Sequence, residues 1–97
     1  MRFKVKARVW VYAGDGAWRF ITVPQDISCR IKSMAPRPRR TFGSQRVAAT
    51  IGKTTWKTSL FPSAKADAFL LPIKASVRRA ENIADGDTVS AVLKIDF

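Results

Sequence analysis

The sequence predicts a mainly β domain, a small closed or split β-barrel of about six mostly antiparallel strands with two short helices. Three observations point there. Apolar and polar residues alternate with period two in most runs, glycine, proline and aspartate punctuate those runs at short intervals, and only two stretches carry helical spacing. At 97 residues the length suits one core, so residues 1–97 are read as a single β-barrel domain. A hydrophobic content of 46% and an aromatic content of 10% supply enough apolar surface to offset the ordering entropy of a compact domain.

In residues 2–12, Phe3, Val5, Ala7, Val9 and Val11 share one face while Arg2, Lys4, Lys6, Arg8, Trp10 and Tyr12 share the other. That is a half-buried strand. Gly14, Asp15 and Gly16 suit a tight turn, and residues 17–23 resume as the second arm of a hairpin, with Trp18 expected in the core. Pro24 lacks a ladder donor and stops the strand. Asp26 then stands at the start of a short helix carrying Ile27, Ile31 and Met34.

Residues 35–45, with two prolines, a glycine and three arginines, read as an exposed loop. Residues 46–51 and 54–61 form the next hairpin around Gly52 and Lys53, with Val47, Ala49 and Ile51 facing one way and Trp56, Thr58 and Leu60 likewise in register. Residues 67–73, rich in Phe69, Leu70 and Leu71, suit a buried strand limited by Pro72. Residues 74–83 space Val77, Ala80 and Ile83 about one turn apart, as in an amphipathic helix. Asp85, Gly86 and Asp87 turn the chain into a last strand over residues 88–97, where Val89, Ala91, Leu93 and Ile95 alternate with Ser90, Val92, Lys94 and Asp96. The two helices are expected to cover open ends or splits of the barrel.

Several function classes lose their chemistry at this stage. No run approaches the roughly 20 apolar residues of a membrane span, and the amino terminus carries alternating charges where a signal peptide has an apolar core, so a cytoplasmic protein is expected. Histidine is absent, which removes the commonest general base and metal ligand; hydrolase triads and zinc sites are excluded. Cys29 is the lone cysteine, expected as a small semi-buried helix residue. Gly14 and Gly16 flank only Asp15 and do not make a phosphate loop. Glu81, Asp85 and Asp87 lie close enough along the chain to be weighed as an acid–base pair, yet Asp-Gly-Asp is turn chemistry in which a side-chain oxygen bonds local amides. No catalytic residue, metal or cofactor is assigned, and an enzyme has the least support.

Charge points to partners. Eighteen Lys and Arg against 7 Asp and Glu give a formal +11, a field that attracts polyanions. Three groups are candidates for polyanion binding: Lys4, Lys6 and Arg8 with Trp10 and Tyr12 on the outward face of the first strand, Arg37, Arg39 and Arg40 in the long loop, and Arg78 and Arg79 on the second helix. Aromatic rings beside cations are the usual means of holding single-stranded bases. A solvated strand face shows the same alternation, so both readings stand. The expected function is a non-catalytic binding or accessory module; the alternatives are a nucleic-acid binder and a small-ligand binder using the barrel mouth. Partners fit nucleic acid or an acidic protein surface, the chain acting as a monomer or weak dimer.

The order of these segments also carries a resemblance. The amino-terminal strand, AWRFITVP at 17–24, RVAATIGKTTWKTSLFP at 46–62 and above all LLPIKASVRRAENIADGDTVSAVLKID at 70–96 resemble the bacterial domain of unknown function 1905. The resemblance spans nearly the whole chain, and it implies a double-split β-barrel with no assigned activity. The arginines at 37–40 depart from that family's pattern. The proline, basic helix, Gly-Asp and closing strand are similar also to swapped-hairpin transcription regulators, which are DNA-binding dimers about half this length. That likeness is one of fold and does not transfer function.

Overall fold

One extended segment supplies both ends of a single curled sheet. In the computed structural model, which describes residues 1–12, 18–34 and 44–95, β1 (Arg2–Arg8) is followed after Val9 by β2 (Trp10–Val11). The other strands are β3 (Arg19–Thr22), β4 (Gln45–Ile51), β5 (Thr54–Ser63), β6 (Ala68–Pro72) and β7 (Thr88–Lys94). They form a 7-stranded sheet in the order β1-β7-β4-β5-β6-β3-β2. Every pairing is antiparallel.

Because β1 and β2 are successive pieces of one segment, the two ends of the sheet are joined covalently at Val9. A second join lies within β5. Its residues from Thr54 to Leu60 pair with β4, and Phe61 to Ser63 pair with β6. The result is two half-sheets, β1-β7-β4-β5 and β5-β6-β3-β2, spliced at opposite corners by unbroken chain. This agrees with the expected curled, split barrel. The expected strand over 2–12 is two strands because its partner changes at Val9, whose amide donates to the Asp87 carbonyl (2.8 Å) and whose carbonyl accepts from Gly86 (2.9 Å). Gly86 meets that requirement with φ 87°.

The inward faces make one core. Phe3, Val5 and Val9 from the first segment meet Val47, Ala49, Ile51, Trp56 and Leu60 of the central hairpin, Phe69 and Leu71 of β6, and Val89, Ala91 and Leu93 of β7. Outside β6, whose ends Ala68 and Pro72 are also buried, each alternates with exposed or half-buried neighbours, as period-two burial requires.

Two helices bridge the half-sheets. α1 (Gln25–Met34) starts after Pro24, whose carbonyl accepts from the Ser28 amide at 2.9 Å, and carries Asp26 in its first turn. It packs on β6 through Ile31 and Ser28, and Arg30 lies 5.6 Å over the Phe3 ring of β1. The buried Ser28 hydroxyl donates to the Val23 carbonyl (3.2 Å) and accepts from the Phe69 amide (3.0 Å). α2 (Ala75–Ala80) buries Val77. Beyond it Glu81 accepts from the Thr54 hydroxyl (2.6 Å) and the Lys53 amide (3.3 Å), clamping the β4–β5 turn.

Several sequence expectations are corrected. The second helix is shorter than residues 74–83, since Asn82 adopts φ 53° and the Ile83 amide turns back to the Arg78 carbonyl (2.9 Å), a Schellman ending. Ala80 is consequently exposed, and Ile83 reaches the core from the turn. Met34 is exposed because α1 rests on the sheet through its earlier turns. Cys29 is also exposed, pointing away from the Ser28–Ile31 stripe. Val11 is exposed because β2 ends the sheet, with only two residues paired. Trp56 is buried, but Trp18, expected in the core, is 55% exposed. It shares parity with the outward Phe20 and Thr22, while Ile21 and Val23 point inward. The turn at Gly14–Gly16, residues 35–43 of the expected loop and the last strand's Asp96 and Phe97 lie outside the described residues; Gln45, expected in that loop, is buried as the first residue of β4.

Two substitutions test this framework. Gly52 has φ 59°, and a Cβ there would collide with the Glu81 carboxylate. Gly52→Ala should therefore cost about 1–2 kcal/mol for the left-handed backbone alone, read as a lower urea midpoint. Ser28→Ala strands the buried Phe69 amide and should destabilise by about 1–3 kcal/mol. A thermal midpoint within error of the parent would refute the bridging role of that hydroxyl.

Candidate polyanion interface

The outward face of the β1-β7-β4-β5 half-sheet carries seven exposed cations. Alternation sends Arg2, Lys4, Lys6 and Arg8 of β1, Lys94 of β7, Arg46 of β4 and Lys57 of β5 to solvent, and all are exposed. Register then aligns them: Arg2 stands opposite Lys94, Lys94 opposite Ala48, and Ala48 opposite Lys57. The next row along reads Lys4, Val92, Thr50 and Thr55, with the two threonine hydroxyls 2.8 Å apart. Among the described residues no carboxylate belongs to these four strands: Asp26 lies in α1, and Asp67, Glu81, Asp85 and Asp87 lie in turns or irregular chain.

Directly opposed like charges destabilise a strand pair. Arg2 and Lys94 are such a pair at the β1–β7 seam. Two shallow grooves follow the same face. One of 610 Å³ is lined by Arg46, Lys57, Ser59 and Lys94 among others, and one of 420 Å³ by Lys4, Lys6, Thr50 and Ser90 among others. Both lie outside the barrel, on the sheet.

The second half-sheet presents aromatics. Phe20 of β3 is the hub: its ring centroid is 5.3 Å from Trp10, 6.1 Å from Tyr12 and 6.0 Å from Trp18. Trp10 is half-buried and fixed by its indole Nε1, which donates to the Thr22 hydroxyl at 3.0 Å. Tyr12 and Trp18 are exposed.

The structure thus unites Lys4, Lys6 and Arg8 on one face and adds Arg2, Arg46, Lys57 and Lys94. Sequence reading missed Arg46, Lys57 and Lys94 because each is a single cation in its own run; the signal was their outward parity, which becomes a patch only once register is known. Trp10 and Tyr12 continue the outward parity of β1 but belong to the other half-sheet. Arg78 and Arg79 sit apart on α2, beside a 400 Å³ groove, and the Arg78 Nε donates to the Ile73 carbonyl at 3.2 Å. Arg37, Arg39 and Arg40 lie outside the described residues.

The three weighed carboxylates point to different tasks. Glu81 clamps the hairpin turn, Asp85 pairs with Arg19 at 2.7 Å, and Asp87 accepts from the Ala84 amide at 2.9 Å, the local turn bonding expected of Asp-Gly-Asp. Among the described residues no group of three or more His, Cys, Asp or Glu converges on a metal position, and no helix is long and apolar enough to cross a membrane.

The opposed cations predict an unusual salt response. Lys94→Glu should stabilise the protein at low ionic strength by about 0.2–1 kcal/mol, a rise of a few degrees in Tm, and the gain should shrink as salt screens the face. A destabilised Lys94→Glu at low salt would show that these cations do not repel one another.

A family model described as Domain of unknown function (DUF1905) matches residues 6–93. No curated protein matches the chain.

Proposed function

The chain belongs to the DUF1905 family, and from that premise we propose that it is a non-catalytic binding module whose cationic half-sheet takes nucleic acid through its phosphates. The observation that carries this reading is the outward face of β1-β7-β4-β5, where Arg2 and Lys94 stand opposed with no carboxylate among the described residues to relieve them. A face selected only for solubility would intersperse both signs. Repulsion kept at a cost in stability is instead what binding to an anion would relieve.

Hydroxyls favour phosphate as that anion. Thr50, Thr55, Ser59 and Ser90 project between the cations, and phosphate oxygens are bound by just this mixture of Lys, Arg, Ser and Thr. Positioning without base reading is the expected mode, since among the described residues the patch is built of strands alone.

Fluorescence anisotropy of labelled oligonucleotides across salt tests it. Engagement of five phosphates of a duplex would give a log–log slope of about −4.5, and Lys4→Gln or Lys94→Gln should each reduce the slope by about one. Failure of both single- and double-stranded oligonucleotides to bind at about 50 mM salt would end this reading.

A further inference from the structure

We infer that the nucleic acid taken by this module is single-stranded, with a base stacked on the open face of Trp18. The inference rests on the polyanion reading above and adds to it the aromatic cluster of the second half-sheet. The Trp18 and Phe20 rings are nearly parallel, 10° apart, with centroids 6.0 Å apart. Phe20 lies offset against the indole, yet Trp18 is 55% exposed, which leaves ring surface turned to solvent. Leaving so large an apolar ring in water forgoes burial worth about 25 cal/mol per Å².

Order within the cluster makes Trp18 a platform. Phe20 is fixed from the other side by Trp10, whose indole is anchored on Thr22 at 3.0 Å, and Tyr12 closes on its edge at 77°. A ring held by its neighbours gives up little freedom on binding. Its ligand must combine a flat apolar surface with negative charge, because the outward positions of one extended segment run from Arg8 to Trp10 and on to Tyr12, about 7 Å per step, and Trp18 lies beside Tyr12. Phosphates lying along β1 therefore bring the attached bases toward the rings. A duplex cannot use such a platform, since its bases already stack within it; a single strand can, and any base serves because each has a π-face.

The full chain is titrated with a labelled oligothymidylate, with its duplex formed on oligoadenylate, and with inorganic polyphosphate as displacer. Trp18→Ala should weaken oligothymidylate binding roughly five-fold or more while leaving the inhibition constant of polyphosphate unchanged, and Trp18→Phe should retain most of the affinity. Tryptophan emission of the parent should be quenched by oligothymidylate and not by polyphosphate, a readout that does not depend on the variant's folding. Equal affinity of parent and Trp18→Ala, tighter binding of the duplex, or unquenched emission would overturn the stacking inference and leave the polyanion reading intact. Absence of binding to both oligonucleotides and to polyphosphate at low salt would overturn both.

Discussion

Strand continuity through the corners of the sheet is the constraint on which the remaining features depend. A flat sheet in the order β1-β7-β4-β5-β6-β3-β2 would put β1 and β2 at opposite extremes, yet only Val9 separates them in the chain. The sheet must therefore curl until its ends meet, and curling brings the inward faces of both halves onto one core. The same requirement explains why Val9 is buried and bonded to the turn before β7: the residue that changes partners would otherwise leave its amide and carbonyl unpaired. β5 solves the problem at the other corner by its length, exchanging β4 for β6 after Leu60.

Curling also sorts the surface. Each half-sheet has one outward face, and the two differ in chemistry: cations and hydroxyls on one, a rigid group of aromatic rings on the other. The helices and turns that seal the gaps hold the described carboxylates, where they serve local structure. Glu81 fastens a hairpin, Asp85 meets Arg19, and Asp87 satisfies a turn amide. Among the described residues negative charge is thereby kept to α1 and the turns, while seven cations stand on the β1-β7-β4-β5 face.

Much of this fold was legible in period-two burial. Phe3, Val5, Val47, Ala49, Ile51, Val89 and Leu93 all point inward as their spacing implied, and the Gly52-Lys53 turn links strands paired from Ile51 and Thr54 onward. What spacing could not disclose was partner choice. The alternation of residues 2–12 continues through Val9, so nothing in it marks the change of half-sheet. The apolar neighbours of Trp18 point to a core position, whereas its parity with Phe20 sends it outward. The cationic face was half visible: β1 concentrates four cations in one run, whereas Arg46, Lys57 and Lys94 join them only through register, a long-range property no local window contains. The α2 ending turned on Asn82, whose left-handed conformation is a choice of a single residue.

The seam between β1 and β7 joins segments nearly ninety residues apart, down to the Met1 amine and the Ile95 carbonyl. During synthesis the opening strand must therefore wait, with its ladder groups unmatched, until almost all the rest of the domain has left the ribosome. Mutual repulsion among Arg2, Lys4, Lys6 and Arg8 guards that interval, since a bare edge this positively charged resists pairing with the same edge of another nascent chain.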